Sequence, residues 1–220
     1  SDDSTKGYTE NQSTQTQSKH IKALFFGTGS YANIQNKGCP GPEGKWSSFP
    51  AGSMVEVIIS SGVSGEEANF VTDEVNKLNS ALAGYFTIVA VQSSASELTP
   101  AVKNQITINM VDRPTMKKYC NSADSGGCIR MNYLEGASIK SGNSYYPLDK
   151  GIFDVHELGH GIGLCHVNSA VYPEGTMASE SNNVIKSFSE RELDAINKVF
   201  TSGLNVGATE QDFWDAGLIP

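Results

Sequence analysis

Hydrophobic and polar positions change rhythm several times along this chain, and each rhythm predicts an element. Residues 54–59, MVEVII, alternate and are rich in β-branched side chains, which predicts a strand. From residue 65 the period lengthens. Ala68, Val71, Val75, Leu78 and Leu82 recur at spacings of three and four, one apolar stripe of a helix over 65–83. Ser64 followed by Glu67 opens that helix as a capping box, and Gly84 closes it. Residues 86–91 read as a buried strand, and Ile106, Ile108 and Met110 alternate with polar neighbours to mark another over 106–111. Residues 128–134, CIRMNYL, carry polar side chains on one side and suit the edge of a sheet. The run IKALFF, 21–26, is expected to be a short strand ended by Gly27-Thr28-Gly29. Residues 135–147, rich in Gly, Ser, Asn and Tyr, are expected to be a loop. Asp149 can cap a helix over 150–163 that Gly163 ends. A last helix over 190–200 takes Ser189 as its cap, Glu192 as the other half of a capping box, and Leu193, Ile196, Val199 and Phe200 as its apolar face.

The order strand, helix, strands, helix, loop, helix predicts an α+β fold with a mixed sheet. Residues 1–20 hold almost nothing that could be buried and are expected to form a disordered leader, His20 included; residues 21–220 are expected to form one domain. A chain of 220 residues can bury a sizeable core without staples. Sixteen Lys and Arg against 24 Asp and Glu give a net charge of −8, so nucleic acid and anionic membrane surfaces are poor partners. No apolar run approaches the roughly 20 residues a membrane span needs.

The chemistry is concentrated in one segment. Three of the four histidines fall in the run His156-Glu157-Leu158-Gly159-His160-Gly161-Ile162-Gly163-Leu164-Cys165-His166. On a helix, positions i and i+4 lie one turn apart on one face, so His156 and His160 can aim two imidazoles at one ion. Glu157 sits beside the first ligand, where a general base for a metal-bound water belongs. A continued helix would carry residue 166 away. Gly163 can adopt a positive φ, end the helix and let His166 swing back as a third ligand. Three protein ligands leave a fourth position open, which is the catalytic arrangement of zinc. Chance alone would match five such fixed positions in a chain of this length with odds on the order of one in 100,000.

This motif resembles that of the metzincin clan of zinc metallopeptidases. The resemblance implies a downstream methionine in a tight turn beneath the metal. Glu174-Gly175-Thr176-Met177-Ala178 fits, with Met177 as the turn methionine. It also implies a catalytic domain with a twisted mixed sheet, a backing helix, an active-site helix and a C-terminal helix, and the predicted elements follow that order. The segment Phe188-Ser189-Glu190-Arg191-Glu192-Leu193 is similar to the start of the last helix in matrixins. Val167 after the third histidine matches none of the large subfamilies. Ser179 stands where astacins and serralysins have a tyrosine, and no calcium loop is evident. The clan is therefore assigned without a subfamily.

What the resemblance implies is a zinc endopeptidase, acting as a monomer, in which Glu157 activates a zinc-bound water. An extended peptide would pair with the edge strand at Ile129, Arg130 and Met131. Tyr172, Tyr145 and Tyr146 could reach the oxyanion or simply pack. A metal-binding surface module without turnover, and a narrow hydrolase of small peptides or cell-wall cross-links, remain alternatives. Four cysteines allow three pairings. Cys120 and Cys128 flank a short flexible loop, whose closure is worth roughly 2.5 kcal/mol. Cys39 with Cys165 would close a far longer loop, worth about 5 kcal/mol before strain. Cys39 could instead be a latency thiol on the zinc, as in matrixin zymogens, or the thiols could stay free. Disulfides and the polar leader fit a secreted or cell-surface protein, and the leader resembles the spacer of bacterial lipoproteins.

Overall fold

In the computed structural model the described residues are 4–152, 154–178 and 187–220, with side chains described from residue 14 onward. Ser179 lies outside them. The molecule is α+β, built on a five-stranded mixed sheet. Its strands are β1 (Met54–Ile59), β2 (Thr87–Gln92), β3 (Gln105–Val111), β4 (Cys128–Tyr133) and β5 (Ile139–Pro147), in the spatial order β2-β1-β3-β5-β4. β1 pairs in parallel with β2 and β3, and β3 with β5. β4 alone runs antiparallel, at the edge, as its polar side suggests.

Three helices follow the sequence pattern. α2 (Gly65–Leu82) is capped by Ser64, whose hydroxyl accepts from the Glu67 N–H at 3.2 Å. Its stripe of Ala68, Val71, Val75, Leu78 and Leu82 is buried. α5 (Glu190–Phe200) carries a complete capping box between Ser189 and Glu192 and packs beside α2. α4 (His156–Gly161) carries the motif but is shorter than the 150–163 expected. Residues 148–150 form a turn instead, closed by a 2.8 Å bond from the Gly151 N–H to the Pro147 carbonyl. Glu67 at the start of α2 holds the Ile152 N–H. Asp149 caps nothing there and pairs with Arg113 at 3.0 Å.

Other expectations are corrected. Residues 21–26 are not a strand but the end of α1 (Ser4–Phe26), which also runs through most of the expected leader. Ile21, Leu24 and Phe25 recur at helical spacing, and with Ala23 and Phe26 they are buried against Trp46, Phe200 and Phe213. Gln17 and His20 are buried as well. Residues 139–147, expected as loop, form the inner strand β5. Several of its polar side chains find partners across the sheet. The Ser144 hydroxyl donates to the Thr107 carbonyl at 2.8 Å, and the Asn143 Oδ1 accepts from the Thr107 hydroxyl at 2.7 Å. Two short helices complete the chain: α3 (Arg113–Cys120), capped by Asp112, and α6 (Glu210–Asp215), capped by Thr209.

Both closures proposed for the cysteines are present. Cys39 is bridged to Cys165, and Cys120 to Cys128. The Cys39 sulfur is therefore held in the bridge rather than offered as a latency thiol. No described helix is long and apolar enough to cross a membrane.

Candidate metal centre

α4 sets His156 and His160 one turn apart, and the chain then reverses at Gly163, whose φ is +110°. A side chain there would run into the Ser47 carbonyl, so both the turn and the close approach require glycine. The returning segment is fixed by main-chain bonds on both sides. The Cys165 N–H donates to the Leu24 carbonyl at 2.7 Å, His166 to Lys37 at 2.8 Å and Val167 to Met177 at 2.9 Å. His166 thereby returns to the first two histidines.

The three Nε2 atoms stand 3.0 Å from one another. Each Nδ1 faces a backbone carbonyl: His156 that of Thr176 at 2.7 Å, His160 that of Leu164 at 2.7 Å, and His166 that of Asn36 at 2.8 Å. A carbonyl can only accept, so every Nδ1 carries the proton and every neutral ring turns a lone pair inward. Burial, and then the neighbouring imidazoles, hold His160 well below the usual histidine range, and His166 is lowered for the same reasons. Three lone pairs at this separation repel unless a cation sits between them. Ligands at about 2.0–2.1 Å around a tetrahedral zinc ion stand about 3.3 Å apart, close to the observed triangle. The donor set thus fits a metal ion, and among the described residues it is the one cluster of three or more metal-ligating side chains.

Glu157 is half-buried on the same helix and is not one of the converging groups. Burial, with the charge of Asp154 second, pushes its carboxyl up to about 8. A dication on the imidazoles would favour its ionised form and act against that shift.

Met177 lies beneath α4, fully buried, with its sulfur against the backbone of Gly159; any side chain at Gly159 would displace it. The turn around Met177 is held from below by Glu192 of α5. That carboxylate is 1% exposed and accepts from the N–H groups of Thr176 and Met177, both at 3.0 Å, and of Ser189 at 2.8 Å. Burial pushes it up to about 7, although those three donors pull it down. Glu192 therefore fixes the peptide whose carbonyl orients His156. The sequence marks Glu192 only as half of a capping box. It gives no sign of the carbonyls of Asn36, Leu164 and Thr176, because a main-chain acceptor leaves no residue-type signature.

The candidate substrate contacts are divided. Ile129 and Met131 share the sheet face toward α4, where the Ile129 side chain lies beside Gly161. Arg130 alternates with them and belongs to the opposite face. Tyr145 is also on that opposite face, stacked on Tyr119 with centroids 4.3 Å apart. Tyr146 is buried on the α4 side, its phenol raised well above the usual value by burial and then by the charges of Glu157 and Asp154. Tyr172 is spent on packing: it is 4% exposed and stacks on His20 at 3.9 Å. His20, expected to be inert in the leader, is an interior residue whose imidazole burial pushes down to about 3.

No protein-family model matches the chain, and no curated protein matches it.

Proposed function

We propose that the chain is a secreted or cell-surface zinc endopeptidase of the metzincin type. The observation that carries the proposal is the triangle of Nδ1-locked imidazoles beside Glu157, next to the exposed edge strand β4. The element order, the single antiparallel edge strand and Met177 beneath α4 support the same reading. Zinc held there supplies a Lewis acid that polarises a carbonyl and lowers the pKa of water towards about 7. The chain does the rest. The outer main-chain groups of β4 hold an extended peptide by strand addition, and Ile129 and Met131 face its side chains on the α4 side. Glu157 takes the proton of the attacking water on a carboxylate oxygen and delivers it to the leaving amine.

One zinc ion per chain is expected by elemental analysis after mild purification. Cleavage of a denatured protein or of a quenched-peptide library is expected to stop with a chelator and return with zinc. Silence on every substrate by zinc-loaded protein overturns the peptidase reading.

The Cys39–Cys165 bridge ties the third ligand's segment to the strand of chain carrying the Asn36 carbonyl and Gly38, which packs against the His166 ring. Replacing both cysteines by serine is expected to weaken zinc affinity about 10–100-fold, the usual effect of losing a ligand's outer partner. Competition against a chromophoric chelator measures it. The same replacement at Cys120 and Cys128 should leave the affinity within about twofold, because that bridge lies on the sheet face turned away from α4 and holds no segment that carries a ligand or its carbonyl.

A further inference from the structure

On the sheet face turned away from α4, a second cleft of about 390 Å³ opens at the carboxyl ends of β3 and β5. Along β5, Asn143 and Tyr145 point into it, while the alternate residue Tyr146 turns toward Glu157. Asn109 of β3 completes the floor. Leu98 lines one wall, and Tyr119 and Leu148 line the other. The second wall is rigid, since Tyr119 stacks on Tyr145 and the Cys120–Cys128 bridge joins α3 to β4.

Asn109 and Asn143 are each 7% exposed, and each uses only half of its amide. The Asn109 Nδ2 donates to the Thr107 hydroxyl and to the Ser144 carbonyl, both at 3.1 Å. The Asn143 Oδ1 accepts from the Thr107 hydroxyl at 2.7 Å and from the Ala101 N–H at 2.8 Å. A carbonyl cannot donate and an N–H cannot accept, so both amide orientations are fixed by the main chain. Left over, with no partner among the described residues, are an acceptor, the Asn109 Oδ1, and a donor, the Asn143 Nδ2.

We propose that this cleft binds a neutral saccharide. Neighbouring sugar hydroxyls both donate and accept, which matches the unused acceptor and donor. The Tyr119 ring, 41% exposed, offers an apolar face to the C–H side of a pyranose. The cleft contains Glu97 and Asp112 and no Lys or Arg, which disfavours an anionic ligand. An extended peptide is disfavoured too. β3 and β5 are each paired along both edges, so neither offers main-chain groups for strand addition. The walls are already in place, so little ordering cost falls on binding.

Saturation-transfer NMR on the folded, zinc-supplemented full chain tests this with glucose, galactose, mannose, N-acetylglucosamine, cellobiose and chitobiose. At least one sugar is expected to receive saturation, and to keep doing so after chelation, because the cleft is separate from the histidines. Asn143→Asp keeps an acceptor oxygen for Thr107 and Ala101 and replaces the free donor by a charged acceptor; it should abolish binding. Tyr119→Ala removes a partly exposed ring from a surface helix and should weaken binding about tenfold, while the lost stack on Tyr145 lowers the melting temperature by no more than a few degrees. The proposal is overturned if no sugar binds, if binding is indifferent to both substitutions, if chelation abolishes it while circular dichroism shows the chain still folded, or if only a neutral peptide library gives saturation.

Discussion

Glu157→Gln is expected to lower peptide hydrolysis by about 10²–10⁴-fold, the usual share of a general base, while zinc content stays at one ion per chain. The two side chains have nearly the same shape, so α4 and the imidazole triangle should persist. The amide cannot take up a proton, which is the step assigned to the carboxylate. Glu157 is outside the converging ligand group, so metal retention is the natural companion result. Rates on a quenched peptide, with elemental analysis of the same sample, decide it. Activity within a few-fold of the parent would remove Glu157 from the chemistry, and loss of zinc along with activity would recast it as a ligand.

Gly163→Ala is expected to destabilise the fold by about 2–5 kcal/mol, combining a left-handed alanine with overpacking in a tight interior. The methyl group would meet the Ser47 carbonyl, in a stretch where the Ser48 hydroxyl also donates to the Ile162 carbonyl at 2.6 Å. Relief requires the 162–166 turn to open, which withdraws His166 from the other two histidines. Urea denaturation and zinc affinity should therefore fall together. Parent-like values for both would show that the turn has room the structure does not reveal.

The parts of the fold legible in the sequence are those whose cause is local. Ser64 and Ser189 mark helix starts because a hydroxyl satisfies an N–H within the same turn, and the stripe of α2 repeats at the period of the helix it forms. His156 and His160 were legible for the same reason, and Gly163 because reversal demands it. What was hidden depends on distant partners. β5 looks like a loop by composition, since Ser141, Asn143 and Ser144 are poor strand formers. It becomes an inner strand because Thr107 meets the Asn143 and Ser144 side chains, Asn132 meets the Ser141 hydroxyl, and the Asn109 amide donates to the Ser144 carbonyl. The end of α1 looks like a strand in the sequence because a six-residue, mostly apolar run is too short to tell a helical period from a buried strand. Its helical form is set by the aromatic cluster of Trp46, Phe200 and Phe213. The orientation of the imidazoles was invisible, because main-chain carbonyls supply it.

Those carbonyls belong to Asn36, Leu164 and Thr176, and Asn36 lies 130 positions along the chain from the histidine it holds. The unfolded chain cannot assemble them, so a metal ion selects the folded state almost exclusively. Under the proposed reading, free zinc at about 1,000 times its dissociation constant would add about 4 kcal/mol to folding. The melting temperature should then rise with the logarithm of free zinc and collapse on chelation. On that reading the cation would report where the molecule is: in a zinc-poor compartment the protein would be a looser, more protease-sensitive chain, gaining its full durability where zinc is available.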